Sequence, residues 1–186
     1  GKDRQKNGDP VDQHTSPVVW GGVGTDVQHS VFQMLHQGTS LIPSEFILIV
    51  KPDHDLSDHH STLLANGIAQ TAALLVGQNA EDISANEPDT IGNDLVQKAK
   101  TFSGNRPSST FLIDQLTPFS LGALLAFYEH RTYCFGQLTN INSFDQMGVE
   151  LGKRLANAVS ACLDQDGDKT AFDPSTQSII EQIKDV

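Results

Sequence analysis

An α/β fold with a mostly parallel sheet is what this sequence predicts, on three observations. Residues 45–51 read Glu-Phe-Ile-Leu-Ile-Val-Lys, a short apolar run between charged ends, the pattern of a strand buried on both faces. Two longer segments with helical spacing flank it, at about 26–37 and 57–76. Strand-like and helix-like segments then alternate along the chain instead of segregating, which favours an α/β sandwich. The 186 residues suit one domain with a sizeable core, and the 38% hydrophobic content is low but compatible with one.

In order, residues 1–16 are polar, carry Asn7-Gly8-Asp9-Pro10 and predict a surface loop or hairpin remnant. Pro17-Val18-Val19-Trp20, ending at Gly21-Gly22, predicts a buried strand. The helix over 26–37 follows, with Thr25 and Gln28 spaced as a capping box. Ser57 predicts the cap of the next helix, with Leu63, Leu64, Ile68, Ala72 and Leu75 facing inward. Residues 78–90 predict a polar connection and 91–100 a weaker helix. Thr117-Pro118 is a helix start, a hydroxyl before Pro in the first turn, and that helix is expected to reach about His130. Tyr133, Phe135 and Leu138 alternate enough to predict a strand over 132–139. A helix from Asp145 to about Leu163, a turn at 165–168 and a last helix over 174–184 complete the chain.

The formal net charge of −11 opposes nucleic-acid binding, which needs a cationic patch. It leaves room for a small phosphorylated ligand, which helix N-termini and one or two cations can hold. No run is long enough to span a membrane and no targeting segment opens the chain. The chain begins at Gly, which points to a fragment or a processed product. Cys134 and Cys162 lie in apolar surroundings and read as core thiols of a reducing, cytoplasmic compartment.

The chemistry concentrates in Phe144-Asp145-Gln146-Met147-Gly148-Val149-Glu150-Leu151-Gly152-Lys153. Gly148, Leu151, Leu155, Val159 and Cys162 recur as one buried face, and Gln146, Glu150, Lys153 and Asn157 recur on another. Gln146 and Lys153 lie two turns apart, about 10 Å of helix rise, a span that suits a small phosphorylated sugar. A solvated face with a Glu150–Arg154 pair four residues apart accounts for the same pattern. His29 falls in the first turn of its helix, where the positive end of the dipole disfavours a charged imidazole and a neutral one can exchange a proton. Gly21, Gly22 and Gly24 precede it at the expected ligand-binding end of a strand, although a tight turn explains them equally well. His54, His59 and His60 do not have a standard zinc spacing, and they predict no metal site. Arg106 before Pro107 is expected to contact a loop carbonyl or a partner chain.

The decapeptide resembles the signature of the glucose-6-phosphate isomerase family, Phe-Asp-Gln-Trp-Gly-Val-Glu-Leu-Gly-Lys, departing only at Met147. Three further blocks resemble that family in the same order: Gly24 to Ser30 with His36-Gln37-Gly38-Thr39, then Gly104-Asn105-Arg106-Pro107, then Tyr128-Glu129-His130. Departures occur at Gly22 and Val23, where many members have Glu-Pro, and at Asp26 and Val27, where Asn-Gly is common. The resemblance implies a three-layer α/β/α sandwich, the sugar isomerase domain, with 1–164 as its C-terminal part and 165–186 as a terminal turn and helix. It implies interconversion of glucose 6-phosphate and fructose 6-phosphate without a metal or organic cofactor. His29 and Lys153 would open the sugar ring, Gln146 would hydrogen-bond the substrate, and His29 would serve the neighbouring subunit of a homodimer. Gly1-Lys2 resembles the end of the family's Met-Glu-Ser-Asn-Gly-Lys motif, whose Glu is the proton-abstracting base and would precede Gly1 by three residues. The chain resembles the last third of a family member, so a non-catalytic sugar-phosphate-binding module and an inactive fragment are the alternatives.

Overall fold

The computed structural model describes residues 1–164 and 167–185. Among them are two strands and seven α-helices: α1 (Gly24–Gln37), β1 (Ser44–Lys51), α2 (Ser57–Val76), α3 (Ala80–Asn86), α4 (Asp94–Lys100), β2 (Ser108–Gln115), α5 (Pro118–Leu138), α6 (Met147–Asp164) and α7 (Pro174–Lys184). β1 and β2 pair in parallel, with Leu48 opposite Leu112, so the α/β class stands. The chain divides into two compact units, Pro17–His130 and Gly1–Ser16 with Arg131–Val186, and the division falls inside α5.

In the first unit, α2 lies close against β1: a Cβ on Gly67 would meet Leu48 Cδ2 at 2.8 Å. The end of α2 is clipped onto residues 102–106. The Leu75 and Leu74 carbonyls, left without partners by the helix end, accept from Asn105 N–H (2.8 Å) and Arg106 N–H (3.0 Å). Gln78 and Phe102 exchange both backbone bonds at 2.9 Å. This close approach requires Gly77 (φ +74°) and Gly104 (φ +64°), because a Cβ on either would run into the other segment's backbone. Leu74 and Ile83 are fully enclosed. Asn79 caps α3, accepting from the Glu81 and Asp82 N–H groups while Asp82 accepts from Asn79 N–H.

In the second unit, Gln5 and Lys6 are stitched to the turn after α5. Lys6 N–H donates to the Asn140 carbonyl (2.9 Å), Lys6 Nζ to Gln137 Oε1 (2.7 Å), and Asn140 Nδ2 to Gln5 Oε1 (2.8 Å). α6 ends under a cation: Lys184 Nζ of α7 donates to the Cys162 carbonyl at 3.0 Å, where the helix dipole is negative. Asp173 caps α7 by accepting from the Ser175 and Thr176 N–H groups. Cys162 and Ile180 are buried in this unit.

Several expectations are corrected. No strand forms over 17–20; Val18 and Val19 are exposed, and a strand without a ladder partner leaves its N–H and C=O groups to water. Residues 132–139 are helical to Leu138, because no breaker separates them from α5 and eight residues of alternation do not outweigh a continuing helix. The helix ends where Asn140 turns left-handed, at φ +54°. Residues 78–90 hold α3 and a 3₁₀ turn at Pro88–Thr90 instead of a plain connection. β2 is an addition: Thr110-Phe111-Leu112-Ile113, fenced by Pro107 and Pro118, has strand composition that no sequence expectation used. Leu56, not Ser57, occupies the cap position of α2, and Thr25 is inside α1, whose cap Val23 makes no side-chain bond. Leu63, Ile68 and Leu75 are exposed while Leu74 is buried, so the inward stripe of α2 is rotated from the one expected. The turn expected at 165–168 lies partly outside the described residues.

Candidate functional site

Gln146 and Lys153 both lie along α6, one at its start and the other two turns in. The Gln146 carbonyl accepts from Glu150 N–H at 3.0 Å, so Gln146 stands at the cap position of α6 and Lys153 sits two turns on. Both side chains are exposed. Lys153 Nζ donates to Glu150 Oε1 at 3.3 Å, and this pair replaces the expected Glu150–Arg154 pair. With both partners mostly in water the pair is a weak constraint, so the ammonium can leave Glu150 for a ligand oxygen. The face of Leu151, Leu155 and Cys162 is buried only at Cys162; Leu151 and Leu155 are each 49% exposed.

His29 belongs to the other unit. α1 begins at Gly24, two residues before the expected start, which moves His29 from the first turn to the second, where the dipole acts less strongly. The imidazole is exposed, and its Nε2 lies 3.4 Å from Gln28 Nε2. Gln28 in turn donates to the Thr25 carbonyl at 3.4 Å, so Gln28 stands between the helix start and the imidazole. The strand expected before Gly21 is missing, so the glycines do not mark a crevice at a strand end.

Two residues beyond the sequence-predicted set complete the start of α6. Lys2 forms an ion pair with Asp145 and also donates to its carbonyl at 3.4 Å. Thr15, buried, fixes Lys2 from behind: its Oγ1 accepts from Lys2 N–H (2.8 Å) and donates to the Lys2 carbonyl (2.6 Å). Gly1-Lys2 is therefore held beside Asp145, the residue before Gln146. Nothing in the spacing announces a pair 143 positions apart; the only signal is that both members fall in family-like motifs.

The other motif blocks have structural partners. Arg106 Nη2 donates to the Gly38 carbonyl at 3.1 Å, which realises the expected loop-carbonyl contact and joins two blocks. Tyr128 donates from its hydroxyl to Glu45 Oε2 at 2.9 Å. His54 Nδ1 accepts from Leu56 N–H and His60 Nε2 lies 3.0 Å from the Val50 carbonyl, so both rings brace the entry to α2.

Residues 1–180 match the family model described as phosphoglucose isomerase. The chain belongs to the phosphoglucose isomerase family. Glucose-6-phosphate isomerase of Sphingopyxis alaskensis is 48% identical over 182 residues, 97% of this chain and 32% of that protein. The enzyme of the same name from Dechloromonas aromatica is 45% identical over 185 residues, 99% of this chain and 34% of that protein. Among solved structures, a glucose-6-phosphate isomerase from Chlamydia trachomatis aligns with a TM-score of 0.72 at 37% identity, over 97% of this chain and 32% of that one. The chain thus spans about a third of the length of the relatives it matches.

Proposed function

We propose that this chain is the portion of a glucose 6-phosphate–fructose 6-phosphate isomerase that carries its ring-opening groups. Moving a carbonyl between C1 and C2 requires an open sugar ring, a base that carries a proton between the two carbons, and stabilisation of the enediolate. His29 supplies a proton-exchanging imidazole and Lys153 an ammonium for the ring oxygen and the C1 hydroxyl; Gln146 binds the substrate from the cap of α6. The Glu base that the family resemblance implies is not among these 186 residues. His29 acts in the site of a second subunit, which makes the active form a homodimer, and the compartment is cytoplasmic, in keeping with two free cysteines.

The observation that carries this reading is the Lys2–Asp145 pair. In the family motif the base lies a few residues before this Lys, so the pair tethers the base-bearing segment to the helix that holds Gln146 and Lys153. The test is a coupled assay with fructose 6-phosphate on two samples, the 186-residue chain and the gene product that contains it. Turnover is expected in the gene product and little or none in the 186-residue chain. In the gene product, His29→Ala should slow conversion of cyclic substrate more than of an open-chain analogue. A gene product inert on both sugar phosphates would overturn the proposal, and normal turnover by the 186-residue chain would refute the assignment of the base.

A further inference from the structure

A shallow, open recess in the Pro17–His130 unit is lined by His36, Gln37, Lys98, Thr101, Ser103 and Arg106, without His29. Three of these six carry or can carry positive charge, and none is a carboxylate. That composition runs against the chain as a whole, which has 23 acidic residues to 12 basic ones. Lys51, Lys100 and Lys153 each sit against a carboxylate, whereas the Lys98 ammonium has no ion-pair partner among the described residues. Arg106 spends one Nη2 N–H on the Gly38 carbonyl, and its Nε–H is buried with no acceptor. Among the described residues the guanidinium charge is thus matched by one neutral carbonyl and no carboxylate, and its remaining Nη N–H groups are the donors left for an anion in the recess. Ser103 Oγ holds only a long 3.3 Å bond to the Gly104 carbonyl, so it can turn to a ligand.

We propose that this recess binds a small tetrahedral oxyanion of the phosphate class, held by Lys98 and Arg106 with Ser103 as a further donor. The fork of a guanidinium suits two oxygens of such an ion, and the lysine supplies a point charge. His36 reports on the site. Its ring packs on Phe102 (centroids 5.1 Å apart), and burial first, then the positive charge of Arg106, holds its pKa below 6.5. An anion beside Arg106 offsets that charge and raises the His36 pKa. The proposal does not depend on the isomerase reading, since it uses none of His29, Gln146 or Lys153.

The test is an NMR titration of the histidine ring protons of the 186-residue chain with inorganic phosphate, against chloride at equal ionic strength. A saturable shift at His36 in the millimolar range is expected, with His29 unmoved. Lys98→Ala should weaken binding about tenfold at unchanged melting temperature. Arg106→Lys, which keeps the charge and loses the fork, should weaken it less than Arg106→Ala, whose fold is checked by circular dichroism. Repeating the titration with a phosphate monoester separates the sources: tighter binding assigns the site to a phosphorylated metabolite, equal binding to free phosphate. A response no different from chloride, a shift confined to other histidines, or wild-type affinity in Lys98→Ala would overturn the site.

Discussion

The end of α2 and the length of α6 make an instructive contrast. Both helices carry leucines at helical spacing, yet Leu74 is 1% exposed, while Leu151 and Leu155 are half in water. At the end of α2 the chain returns through Phe102–Arg106 and satisfies the Leu74 and Leu75 carbonyls, and the helix packs on β1 at Gly67. α6 has an amphipathic sequence and one fully buried position, Cys162. Apolar periodicity states that a face can be buried; what buries it is another piece of polypeptide. The exposed apolar positions on the strand pair, such as Leu112 at 70%, make the same point for the sheet, because parallel strands are stable where both faces are covered.

Leu74→Ala tests the contrast most severely. It should cost about 2–5 kcal/mol in urea unfolding of this chain, whereas Leu151→Ala should cost about 0.5 kcal/mol or less. Equal costs would erase the distinction. Gly104→Ala comes next: the left-handed φ and the Val76 carbonyl leave no place for a methyl, and a loss of about 2 kcal/mol or more is expected. Gly152→Ala should act in the opposite direction, since nothing lies within 4 Å of that position in the interior of α6 and the helix would gain about 0.5–1 kcal/mol of propensity.

Two smaller effects sharpen the contrast through pH. His36 binds its proton less readily in the folded state than in the unfolded one. Stability from this group is therefore complete above pH 6.5 and declines as pH falls below it toward the folded-state pKa. His36→Gln should flatten that part of the profile in thermal melts at graded pH. Asp173 is held below the ordinary carboxylate value of 3.8, chiefly by the Thr176 hydroxyl and then by Thr176 N–H. Its contribution is present above pH 3.8 and lost as pH falls through the folded-state pKa. Asp173→Asn should remove that acid-side loss, seen as α7 helicity by circular dichroism.

Local rules made much of the helical framework legible in advance. α7 lies where its cap and Pro put it, α2 covers the expected 57–76 although its cap is Leu56 and its buried stripe is rotated, and β1 starts one residue early. The same rules failed where two periods compete over a few residues, at 132–139, and where a strand needed a partner, at 17–20. β2 was present as composition between two prolines, but pairing with β1 joins residues 64 positions apart, beyond the reach of any local window. For the candidate site, the motif residues were legible and their supports were not: the Lys2–Asp145 pair and the Arg106 brace on Gly38 are contacts between distant segments.

By itself the sequence determined the residue types at the candidate site, the order of the motif blocks, the charge and the main helices, because each is a property of the chain or of neighbours within a few turns. Tertiary structure alone decided which apolar stripe is covered, which strand pairs with β1, and which cations meet a carboxylate and which line a recess without one. Those outcomes depend on contacts between segments far apart in the chain, and burial and charge pairing take their energies from such contacts.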